Sequence, residues 1–228
     1  ADLDGGAAYH PRPMFQEYST YTAGLIAANF AFMESDDAPD TVLLAPGSID
    51  NRYPSLSEGP LWPVLLRRYA DAGLAGPLGH LDGEVDVLVL RRRDSDAVVT
   101  LGQEEPVTAR FGVPLALPDA GAPLVAKIDL PLSATGWMLS VLHQTPTVRI
   151  TVALADGTRH THRLIPDIAR AGFVLSPYMP DAATARQLFS SRGGGGGEHR
   201  VTEIQVDVPD LIHWAFADRI SVSIRTVR

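Results

Sequence analysis

The sequence predicts an α+β fold: a linker and a small α/β unit of β-α-β form over residues 1–100, then a jelly-roll-like antiparallel β-sandwich over 101–228. Three observations predict it. Two short, largely apolar runs, Thr41–Ala45 and Val85–Leu90, flank a helical pattern. Residues 94–123 then turn rich in Pro, Gly and Asp, with no sustained helical period. Beyond them apolar and polar side chains alternate, as in strands with one wet face.

The first element is a helix. Thr20 or Thr22 caps it, it runs to about Met33, and Pro39 prevents its continuation. Leu25, Ile26, Ala28 and Phe32 give it an apolar face. Thr41–Ala45 suits a strand covered on both faces. Leu61 to Tyr69 reads as a helix with Leu61, Val64, Leu65 and Leu66 inward and Arg67 and Arg68 outward. A Gly-rich loop leads to the second strand, Val85–Leu90. Strand, helix, strand over about fifty residues predicts a crossover that sets the two strands parallel.

In the second half, Val148, Ile150, Val152 and Leu154 share one face. The turn at Ala155-Asp156-Gly157 tests the register. A two-residue Asp-Gly loop would set Leu154 against Arg159. A three-residue loop, with Gly157 left-handed, sets Val152 against His160, Ile150 against His162 and Val148 against Leu164. The second keeps the apolar face together, and a slip of one residue would invert it. Thr202–Val208 and Arg219–Val227 alternate in the same way, and Asp181 caps a helix over Ala182–Phe189. Five glycines, Gly193–Gly197, follow as a flexible loop; no GK[ST] accompanies them, so they do not form a phosphate loop.

Composition narrows the function. The formal net charge of −8 disfavours nucleic acid as a partner. The absence of cysteine removes disulfides, thiolate metal sites and thiol nucleophiles. No stretch approaches the roughly 20 apolar residues that cross a bilayer. The chain reads as a cytosolic protein, a mature exported one, or a soluble piece of something longer.

Candidate chemistry is sparse. Ser48, in A-P-G-S-I-D, lacks the G-x-S-x-G elbow of a nucleophile. His160 and His162 project to one side of a strand and, with His199 or Asp207, have zinc-ligating types; the register makes them flanks of the core, and no metal or cofactor is assigned. The loop from Ser48 to Pro54 leaves a predicted parallel strand at its carboxyl end, where open α/β sheets place ligands. With Arg91 predicted at the same end, Asp50, Arg52 and Arg91 are candidates for a hydroxylated or anionic ligand. The competing reading is an Asp–Arg pair that orders the loop. Trp62, Trp137, Trp214 and Tyr178 are candidates for stacking on sugar rings, against the plainer role of core anchors.

Three landmarks carry a resemblance: R-P-x-F-Q-x-Y-S-x-Y-T at 12–22, I-D-x-R-Y-P at 49–54 and G-F-V-L-S-P at 172–177. They resemble the soluble C-terminal region of a group of large polytopic bacterial membrane proteins, some of them glycosyltransferase-like. The glycine run is outside that pattern. The resemblance implies an extracytoplasmic, periplasmic module tethered to the inner membrane. Its first partner would be the membrane-spanning part of the same protein, with the aromatics at 15, 18 and 21 near the lipid surface. It implies no catalytic residues. The leading expectation is a non-catalytic module that binds envelope carbohydrate or an envelope partner. The alternatives are an enzyme, a hydrolase or glycosyl transferase using the loop 48–54, and a structural cap or oligomerisation domain.

Overall fold

The computed structural model describes residues 2–3, 7–8, 12–13, 22–76, 86–140, 147–190 and 197–228. The aromatic positions 15, 18 and 21 and most of the glycine run lie outside them. Asp2–Leu3 and Ala7–Ala8 pair as a minimal antiparallel hairpin. The remaining described strands form three antiparallel sheets.

The strands, in chain order, are β1 (Thr41–Leu44), β2 (Tyr69–Ala75), β3 (Val87–Arg92), β4 (Glu105–Ala109), β5 (Leu115–Ala116), β6 (Leu124–Asp129), β7 (Val148–Leu154), β8 (Arg159–Leu164), β9 (Phe173–Ser176), β10 (Val201–Asp207) and β11 (Ile220–Thr226). The helices are α1 (Ala23–Glu34), α2 (Trp62–Arg68), α3 (Ala134–Ser140), α4 (Pro166–Ala171) and α5 (Ala182–Ser190).

Residues beyond 104 build the sandwich. One sheet has the order β8-β7-β10-β5, the other β9-β6-β11-β4. Successive strands change sheet except at the β7–β8 hairpin, which is the winding of a jelly roll. The hairpin register is the three-residue one: His160 faces Val152, His162 faces Ile150 and Leu164 faces Val148. Gly157 takes φ 87°, the left-handed turn that this loop requires. Ile150, Val152, Ile204, Val206, Val222 and Ile224 fill the space between the sheets.

The N-terminal unit departs from expectation. Thr41–Leu44 pairs with Val87–Arg92 antiparallel, not parallel. The reason is β2, read from the sequence as a loop: the chain turns into a strand directly after α2, and β3 returns between β1 and β2 in the order β1-β3-β2. Both outer strands therefore run opposite to β3. β1 is also not covered on both faces. Val42 and Leu44 are buried, but Leu43 is exposed, as on a half-covered edge strand.

This sheet, with α2 and α5, packs on the outer face of β9-β6-β11-β4. Trp62, Leu65, Leu88, Leu90 and Leu188 form a second core with Val125 and Val174. Those two valines alternate with Ala126, Ile128, Phe173 and Leu175, which enter the sandwich core. β9 and the first half of β6 are thus buried on both faces, whereas β4 at the edge of the sheet stays largely exposed. α1 begins at Thr22, whose hydroxyl accepts from the amide of Leu25. Only Asn29 and Met33 on this helix are buried; Leu25 and Phe30 are exposed.

Candidate functional site

The loop after β1 is ordered by its own side chains. Asp50 and Asn51 take φ 52° and 56°, a conformation non-glycine residues adopt sparingly. Ser48 Oγ donates to the carbonyl of Arg52 at 2.8 Å. The Asn51 carbonyl accepts from the Arg163 amide at 2.6 Å and the Tyr53 amide donates to the Arg163 carbonyl at 3.2 Å, so the loop adds a short strand-like step beside β8. Arg52 is 2% exposed, and its Nη2 donates to Asp50 at 3.2 Å. The pair orders the loop, and its guanidinium is turned inward.

Arg91 is not at this site. It pairs with Thr41, at the start of β1, whereas the loop leaves from Leu44 at the other end. Antiparallel pairing reverses the end at which a neighbour emerges, so Asp50, Arg52 and Arg91 do not converge.

Tyr178 is likewise an interior residue, 5% exposed. The His160 ring stacks on it at 4.7 Å, and His162 Nε2 lies 2.9 Å from its hydroxyl. Tyr53 meets the edge of His162 at 5.7 Å and donates to the Leu175 carbonyl at 2.6 Å. Burial pushes the Tyr178 phenol up, and pushes Tyr53 well up with help from Tyr178. Burial, then the His160 charge, hold the His162 imidazole below its ordinary range, although the Asn51 carbonyl acts the other way. These rings form a polar-lined core whose burial disfavours the charged imidazole. Trp62 is also a core anchor, its indole N–H on the Ser55 carbonyl at 2.8 Å. Among the described residues no three His, Asp or Glu side chains gather where they could hold a metal ion.

Trp137 and Trp214 are different. They stand at one end of the sandwich, on α3 and on the 3₁₀ segment Asp210–Ala215, and are 65% and 51% exposed. Their backbone is tightly held. Ser133 donates its amide to the Ala215 carbonyl at 3.0 Å and its hydroxyl to the Trp214 carbonyl at 2.8 Å. The same hydroxyl accepts from the Gly136 amide, capping α3. A Cβ at Gly136 would collide with the Ala215 carbonyl, so only glycine allows the two segments to close. The Trp214 indole N–H donates to Leu211 at 2.7 Å, which fixes the ring. Met138 and Leu211 are exposed beside them in sequence. Beneath, Phe111 packs on Phe216 at 5.6 Å and roots the 3₁₀ segment in the core.

Among the residues expected to bind, the structure leaves the two tryptophans open and turns Tyr178 and Arg52 inward. The sequence signal for this tip was slight, since a Trp in a short Ser-Ala-Thr-Gly helix looks the same as one in a core. No protein-family model, curated protein or solved structure matches the chain.

Proposed function

We propose that the protein is a non-catalytic, extracytoplasmic module of a bacterial membrane protein that binds envelope carbohydrate through the Trp137–Trp214 tip. One observation carries this reading: two tryptophans stay open to solvent on a backbone that hydrogen bonds and a glycine contact hold fixed. Burying an indole is worth a few kcal/mol, so a fold that leaves two of them wet invites a ligand to cover them. An indole face suits the C–H face of a sugar ring, and a preset ring loses little freedom on binding. Jelly rolls include lectin domains, which is support by analogy of fold alone. No described helix is long and apolar enough to cross a membrane. Tethering to the inner membrane therefore rests on the sequence landmarks.

A glycan array of bacterial envelope polysaccharides, followed by calorimetry on the hits, tests the reading. Binding that quenches Trp fluorescence and is lost in Trp137→Ala and Trp214→Ala supports it. Silence across the array, or binding indifferent to both variants, defeats it.

A second reading, a structural cap against the membrane-spanning part, draws on α1. This helix is apolar on nearly every side yet buries little beyond Asn29 and Met33. Helices apolar all round are normally covered. Co-purification of the membrane part with the module, abolished by Leu25→Glu with Phe30→Glu, would favour the cap over the lectin-like role.

A further inference from the structure

A groove of about 260 Å³ opens between α1, α2 and the outer face of the middle sheet. Its size is near the lower end of the roughly 300–1,000 Å³ usual for small-molecule sites. The walls are mainly aliphatic: Val64 from α2, Val125 from β6, and Val99 and Leu101 from the segment before β4. The floor is polar. Lys127, the only lysine in the sequence, and Ser223 line it and face each other across β6 and β11. Directly opposed residues of an antiparallel pair bring their Cβ atoms to about 5 Å, within joint reach of one small group.

The charges decide what fits. Arg67 is engaged by Glu34 and Asp96, and Arg225 by Glu104. Among the described residues Lys127 has no carboxylate or hydrogen-bond partner, nor has the Ser223 hydroxyl. Arg225 keeps a buried Nε–H without an acceptor. Glu34 and Asp96 on Arg67 and Glu104 on Arg225 answer the two guanidinium groups, so the cation left without a partner of its own in the groove is Lys127. Phe30 and Leu101 at its lips are exposed, so the apolar surface continues outward on to α1.

We infer that this groove binds a monoanionic amphiphile, an acyl carboxylate, with the carboxylate on Lys127 and Ser223 and the chain along Val64, Val99, Leu101 and Val125. A sugar would leave the aliphatic walls unmatched, and a compact inorganic anion would not fill them. The site is separate from the tryptophan tip and stands or falls independently of it.

Octanoate, octan-1-ol and octylammonium, each titrated into the protein at neutral pH and followed by amide NMR shifts, test the inference. Octanoate saturates, with shifts at Val125, Lys127 and Ser223; octan-1-ol binds more weakly and octylammonium not at all. Lys127→Gln weakens octanoate by about tenfold, the loss of one charge-assisted hydrogen bond, and leaves octan-1-ol unchanged, while Lys127→Arg restores it. Val64→Trp, which fills the groove, removes both ligands. Unsaturable shifts, shifts confined to Trp137 and Trp214 or to α1, or equal octanoate affinity in wild type and Lys127→Gln overturn it. The unchanged octan-1-ol affinity of Lys127→Gln shows that the variant is folded.

Discussion

Tyr53 and Trp214 satisfy their polar handles in the same way, on a backbone carbonyl, but in opposite surroundings. Tyr53 is fully enclosed, and its hydroxyl on Leu175 is the only alternative to a buried, unpaired donor. Trp214 stands half in water, which would satisfy its N–H unaided; its bond to Leu211 instead chooses the direction of the ring. The first bond holds the fold together and the second sets up a surface. An aromatic side chain's hydrogen bond therefore tells its role only when read with its burial.

Substitution sharpens that contrast. Tyr53→Ala, which opens a cavity against Phe173 and His162, should cost about 3–5 kcal/mol in urea unfolding. Tyr53→Phe, which only strips the bond to Leu175, should cost roughly 1–3 kcal/mol. Gly136→Ala forces α3 from the 3₁₀ segment and should cost about 1–3 kcal/mol by overpacking; its signature is faster hydrogen exchange at the Ser133 and Ala217 amides.

The His162 contribution appears as pH dependence. Its folded-state imidazole is held below the ordinary value of 6.5, so the unfolded chain takes up a proton that the folded chain refuses. Its share of stability is therefore complete above about pH 6.5 and declines as pH falls from there toward the folded value. Melting scans from pH 8 downward should show this slope flattened in His162→Gln. A wild-type slope unchanged by the substitution would place the proton uptake elsewhere.

The smallest effect on folding is expected at the tip. Trp137→Ala and Trp214→Ala should each alter unfolding free energy by no more than about 0.5 kcal/mol while abolishing any sugar response. A loss comparable to Tyr53→Ala would erase the distinction between the two aromatic sets.

What the sequence disclosed depended on one-sided burial. The β7–β8 register was legible because only one pairing keeps Val148, Ile150 and Val152 on the covered face. Direction was not legible in Thr41–Leu44. Four apolar-rich residues look alike in parallel and antiparallel sheets, and β2, with Gly73 and three alanines, hid the extra strand that reverses the pairing. β6 and β9 escaped for a related reason: both faces are covered, so Leu124-Val125-Ala126 and Phe173-Val174-Leu175 do not alternate. The candidate site divided likewise. Trp137 and Trp214 were on the page as residue types, but their exposure depends on a contact between positions 136 and 215 that no local pattern announces. Lys127 gave no signal, because its meaning comes from Ser223 on a distant strand.

Where β9 and the start of β6 are buried on both sides, the middle sheet acts as a party wall. Val125 and Ala126 are adjacent in the chain yet belong to different cores, so neither compartment can loosen without disturbing the other. Removing the small unit would strip one face of that wall and leave the jelly roll with a wet, greasy flank. The halves are distinct in architecture but should melt as one cooperative body.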